Sequence, residues 1–114
     1  MSNLDKRTSR RYHVAIESTL VRDDESMPAL IINLSLGGAL AQGAFDTPLK
    51  IGECVDVSFV IPDLVRPLTV AAEIRWVSQA APGSSCTIGL EFVTGFPTEQ
   101  TWALGRFLER QQQA

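Results

Sequence analysis

Two short segments carry the residues whose types and spacing are best suited to chemistry. Arg7-Thr8-Ser9-Arg10-Arg11 holds two arginines in an R-x-x-x-R spacing just before the first apolar alternation. Asn33-Leu34-Ser35-Leu36-Gly37-Gly38 fits an (Asp/Asn)-x-Ser-x-x-Gly pattern at the end of the second. A guanidinium is planar and pairs bidentately with a phosphate, so two on one extended leader can reach different parts of a single anionic ligand. Asn and Ser offer shorter, fixed hydrogen bonds, and paired glycines permit positive φ and a sharp reversal. Each segment alone is a weak signal: with eight arginines some pair falls at this spacing, and Asn/Ser/Gly clusters are common turn chemistry. In this order, each beside a strand, they are strong.

The charge distribution agrees. Residues 1–11 hold Lys6, Arg7, Arg10 and Arg11 against Asp5, a balance of +3, while the other 103 residues hold six basic and twelve acidic side chains, a balance of −6. A cationic leader on an acidic body suits a small anionic ligand better than DNA or RNA, which want a basic face across the domain. A solvated tail is the bland alternative for the arginines, as turn closure by their own backbone is for Asn33 and Ser35.

Catalytic and metal chemistry have little support. His13 is the one histidine, expected on the exposed side of the first strand, with no Ser or Cys in a nucleophile motif beside it. No cluster supplies three or four metal ligands at a usable spacing, and no Gly-rich phosphate loop opens a helix. The expectation is therefore no catalytic residue, no metal and no cofactor. Cys54 and Cys86 are too few for a disulfide scaffold, and no apolar run approaches the ~20 residues of a membrane span. The start has no apolar stretch after its basic residues, so no secretory signal is expected, and the default is a cytoplasmic domain.

These segments need elements to position them. The 114 residues, 45% hydrophobic, suit one domain. Tyr12, Val14, Ile16 and Leu20 alternate with polar residues, and Asp23-Asp24-Glu25-Ser26 reads as a polar turn. Ala29–Ile32 and Ala39–Ala41 are short apolar strands. Cleaner alternation follows at Val55–Ile61, at Leu68–Trp76 and at Cys86–Phe92. Six strands joined by turns too brief for parallel crossovers imply an antiparallel sandwich or small barrel. Pro97-Thr98 offers an N-cap to a terminal helix whose apolar face is Ala103, Leu104, Phe107 and Leu108. Trp76 and Phe92 are assigned to the core. Trp102, off the helix's apolar face, is expected to cover one barrel end, with a partner interface as the alternative.

Arg7 and Arg11, the Asn33–Ala39 segment, Ala72-Glu73-Ile74-Arg75-Trp76-Val77 and Ile88-Gly89-Leu90-Glu91-Phe92 together resemble the PilZ domain, the bacterial receptor module for cyclic di-GMP. The resemblance covers nearly the whole chain, and both binding motifs are intact. It implies a mainly β fold, a six-stranded antiparallel β-barrel of split-barrel type with a C-terminal α-helix and a flexible N-terminal basic arm. The implied division is an arm over 1–11, a barrel over 12–97 and a helix over 98–114. It also implies cyclic di-GMP as ligand, held by Arg7 and Arg11 with Arg10 as helper, by Asn33 and Ser35, and by Gly37 and Gly38 at the turn. Arg pairs with phosphate and with the O6/N7 edge of guanine, and its plane stacks on a purine.

Residues 1–10 have few apolar anchors, so the arm is expected to order only on binding. Ordering about five residues costs on the order of 5–10 kcal/mol, and several charge-assisted bonds of roughly 1.5–3 kcal/mol each are needed to offset it. A clamp of this kind creates or hides a surface for an unidentified downstream protein, with the chain a monomer or weak dimer. The competing expectation is a PilZ-like adaptor that binds protein but no nucleotide. An RNA-binding barrel is disfavoured by the acidic body and by the absence of aromatic stacking platforms on the strands.

Overall fold

The computed structural model describes residues 11–45, 48–62, 64–78 and 84–113, with side chains to residue 111. Six strands, β1 (Tyr12–Arg22), β2 (Glu25–Leu34), β3 (Gly38–Gly43), β4 (Cys54–Phe59), β5 (Leu68–Val77) and β6 (Cys86–Phe92), precede one helix, α1 (Thr98–Gln113). The strands close into a barrel in the order β1-β2-β3-β6-β5-β4, and every neighbouring pair is antiparallel. Closure removes the unpaired edges that an open sheet presents.

Period-two alternation builds the interior. Val55, Val57 and Phe59 of β4 point inward, as do Leu68, Val70, Ala72 and Ile74 of β5. On β1 the outward set, His13, Glu17 and Thr19, is exposed. Ser18 faces inward, and its hydroxyl donates to the Ala29 carbonyl at 2.8 Å, satisfying a polar group that burial would otherwise penalise. The β1–β2 hairpin turns on Asp23-Asp24 alone, with Asp23 at φ 55, a left-handed conformation that Asp tolerates in tight hairpins. β2 thus begins at Glu25, four residues before the expected Ala29, because Met27, Ala29 and Ile31 already alternate inward. Arg22 fastens this end, donating to Glu53 Oε1 and the Pro48 carbonyl at 3.1 Å each.

Helix α1 packs Leu104, Phe107 and Leu108 into the core beside β1, which is the face the spacing predicts. Glu99 lies in its first turn and Arg110 in its last, both favourable to the helix dipole. Thr101 N–H donates to the Pro97 carbonyl at 2.9 Å, so Thr98 opens the helix rather than capping it. Trp102 does not cover a barrel end: it is 69% exposed on the outer side of α1. No helix among the described residues is long and apolar enough to cross a membrane.

Candidate functional site

The β2–β3 turn is organised by one hydroxyl. Ser35 Oγ accepts from Gly38 N–H at 3.0 Å and Gly37 N–H at 3.2 Å, and donates to the Gly38 carbonyl at 3.2 Å. Ser35 N–H also donates to that carbonyl, at 2.9 Å. A hydroxyl has one donor and two acceptor sites, so these contacts use all three, and Ser35 is buried. Neither Gly37 nor Gly38 takes a positive φ, contrary to the expectation for paired glycines. Gly38 answers a different need: a Cβ there would collide with the Leu90 carbonyl across the β3–β6 pair. Gly37 tethers the turn to β6 by accepting from Phe92 N–H at 2.9 Å.

Arg11 stands across from this turn, one residue before the Tyr12–Leu34 register pair just as Ser35 stands one after it. It is exposed and makes no ion pair with a described residue. The third wall comes from β5. Ile74 pairs with Leu90 and Trp76 with Gly89, so Arg75 is an extra residue, a β-bulge. The bulge resets the alternation and turns Trp76 outward. Trp76 is 50% exposed and does not belong to the core, where strict period-two reading places it. The strands therefore do carry a surface aromatic platform. Gly89 leaves room for it, since a Cβ there would sit 3.2 Å from Trp76 Cβ.

Arg11, Ser35, Gly37, Gly38, Arg75 and Trp76 line one cleft of about 640 Å³, with Leu40, Gly89 and Glu91 in its walls. This is within the range of small-ligand sites, ~300–1,000 Å³. Its charges are mixed: Arg75 donates to Glu73 Oε2 at 3.1 Å and lies 4.0 Å from Glu91 Oε1. Arg11 is its cation without an ion pair among the described residues. Of the residues singled out in the sequence, the fold brings Arg11, Ser35, Gly37 and Gly38 together here. Asn33 is just outside the cleft, half-buried between His13 on β1 and Leu40 on β3, and its carboxamide makes no hydrogen bond to a described residue. Arg7 and Arg10 lie outside the described residues. Sequence reasoning missed Trp76 and Arg75, although Gly89 inside a strand was a readable sign of a bulge or close approach.

None of the curated proteins searched matches the sequence. Among solved structures, the chain is similar to the Bacillus subtilis inhibitor of motility MotI/DgrA, with a TM-score of 0.75 and 19% identity over 90% of this chain and 49% of that one. This chain therefore spans about half the length of MotI/DgrA. It is also similar to the PilZ domain of YcgR from Escherichia coli, solved with c-di-GMP, at TM-score 0.69 and 17% identity over 90% of this chain and 91% of that one. The PilZ domain of CeSA from a cellulose-synthesizing bacterium gives 0.65 and 18%, over 91% and 99%. At these identities the likeness is one of fold. The sequence model of the PilZ domain matches residues 5–110, nearly the entire chain, and with the closed six-stranded barrel and terminal helix this establishes that the chain belongs to the PilZ domain family.

Proposed function

We propose that this chain is a receptor for cyclic di-GMP, binding it in the cleft between the β2–β3 turn and the β5–β6 bulge and relaying its presence to another protein. The observation that carries this reading is the meeting of Arg11 and Trp76 in one cleft: a guanidinium without an ion-pair partner among the described residues and a half-exposed indole. A dinucleotide with two phosphates and two guanines asks for that combination. Arg11, together with Arg7 and Arg10 of the leader, pairs with phosphate oxygens or a guanine O6/N7 edge. Trp76 stacks on a guanine, an interaction worth roughly 1–3 kcal/mol per base. The Asn33 carboxamide makes no hydrogen bond to a described residue and stands at the strand position paired with Leu40 of the cleft wall. Ser35, Gly37 and Gly38 act through the backbone they hold, because the Ser35 hydroxyl is saturated by its own turn.

The chain in this reading is a cytoplasmic binding module with no catalytic residue, no metal and no cofactor beside the ligand, and it takes neither DNA nor RNA. Residues 1–11 act as a clamp on the barrel, and the clamp's position is the signal a downstream protein reads. Isothermal titration with cyclic di-GMP tests recognition: binding at micromolar or tighter affinity, lost in Arg7→Ala and Arg11→Ala and unchanged by added RNA, is the expected result. No heat with the wild type would favour the adaptor reading. Amide exchange in residues 4–12 tests the clamp separately, with slowing expected on saturation.

A further inference from the structure

The cleft holds a carboxylate to which the cyclic di-GMP reading gives no task. Glu91 lines it from β6, with its side chain 62% exposed. The position is unfavourable for a purely structural residue. Glu73 stands directly opposite on β5, and like charges in register repel. Arg75 does not serve the two evenly: its guanidinium is 3.1 Å from Glu73 Oε2 and 4.0 Å from Glu91 Oε1. The Glu91 carboxylate accepts no hydrogen bond from a described residue. On its other flank the strand partner is Gly38, which has no side chain to cover it.

A carboxylate beside bound phosphates repels them, so its use must lie with a part of the ligand that donates hydrogen bonds. Guanine has such a part. Its N1–H and N2 amino group are adjacent donors on the Watson–Crick edge, distinct from the O6/N7 edge, and a carboxylate accepts from both at once. The strand geometry puts Glu91 in place for that edge. Ile88 and Leu90 of β6 point inward, so Gly89 and Glu91 share the outer face, about 7 Å apart along the strand. Trp76 stands opposite Gly89, which makes Glu91 its diagonal neighbour, within reach of a long side chain. A base stacked on the indole would have the Glu91 carboxylate at its edge. We propose that Glu91 selects guanine, accepting from N1–H and the N2 amino group of the base that Trp76 stacks, while the arginines hold the O6/N7 edge and the phosphates. This rests on the cyclic di-GMP reading and adds to it the residue that excludes adenine. Adenine turns an acceptor, N1, toward the carboxylate and has no N2 amino group.

Calorimetry on the full chain with cyclic di-GMP, cyclic di-IMP and cyclic di-AMP tests this. Hypoxanthine keeps O6, N7 and N1–H and lacks only the N2 amino group, so cyclic di-IMP isolates one of the two bonds. The wild type should bind cyclic di-IMP at least about tenfold more weakly than cyclic di-GMP, the value of one hydrogen bond to a charged group, and cyclic di-AMP more weakly still. In Glu91→Ala the gap between cyclic di-GMP and cyclic di-IMP should close, with the circular dichroism spectrum unchanged. The ratio is the readout, because removing a carboxylate relieves repulsion of the phosphates for all three ligands alike. Equal wild-type affinity for cyclic di-GMP and cyclic di-IMP overturns the proposal, and so does a gap that persists in Glu91→Ala. Both of those results leave the receptor reading standing. A wild type that binds none of the three defeats that reading and the proposal together.

Discussion

Trp76 stands opposite Gly89 across the β5–β6 ladder, and the absence of a side chain at Gly89 lets the indole keep half its surface open to the cleft. The pair supplies a stacking face on a strand wall that would otherwise be aliphatic. Trp76→Ala should raise the dissociation constant for cyclic di-GMP roughly ten- to a hundredfold, the value of losing one stacked base. The urea midpoint should move little, because the removed side chain is not in the core. In a Trp102→Phe background, Trp76 is the sole tryptophan, and its fluorescence should change on titration with the ligand.

Gly89→Val should act on the same pair from the other side. The added branches crowd Trp76 Cβ, already at 3.2 Å from an ideal Cβ at position 89, and displace the indole. Affinity should fall by a similar factor to Trp76→Ala, and the double variant should be no worse than either single, the non-additivity expected of residues in contact.

Ser35 and Arg11 line the same cleft but should separate cleanly in experiment. Ser35→Ala removes the hub of the β2–β3 turn and leaves Gly37 and Gly38 N–H groups without their acceptor, at a cost of about 1–3 kcal/mol in urea unfolding. Arg11→Ala should leave unfolding unchanged within about 0.5 kcal/mol and abolish most nucleotide binding. The two readouts divide the sequence motif into a part that shapes the turn and a part that meets the ligand.

Gly38→Ala is a sharper test of the close approach between β3 and β6. The obstacle is the Leu90 carbonyl, backbone that cannot swing aside, so the strands must part. A loss of roughly 1–3 kcal/mol is expected, which for a domain of about this size lowers the melting temperature by several degrees per kcal/mol.

Much of this architecture was legible in the chain. The inward sets of β4, β5 and β6 follow strict alternation, and the apolar face of α1 follows helical spacing. Two places were not legible, for physical reasons. Glu25 and Ser26 are polar and exposed in β2, so nothing in their types marks them as strand; hairpin pairing with Arg22 and Val21 does. At Arg75 the bulge adds a residue without breaking the apparent alternation, so Trp76 reads as core while the fold turns it out. The motif at Asn33–Gly38 was recognisable, but the division of labour inside it was not, because hydrogen bonds that saturate Ser35 are a property of the closed turn.

The account turns on one measurement, isothermal titration of cyclic di-GMP into the wild-type chain with Trp76→Ala and Arg11→Ala measured beside it. Saturable binding at micromolar or tighter affinity, weakened in both variants, is the result the cleft predicts. A wild type that takes up no nucleotide, or one whose affinity is untouched by both substitutions, contradicts it.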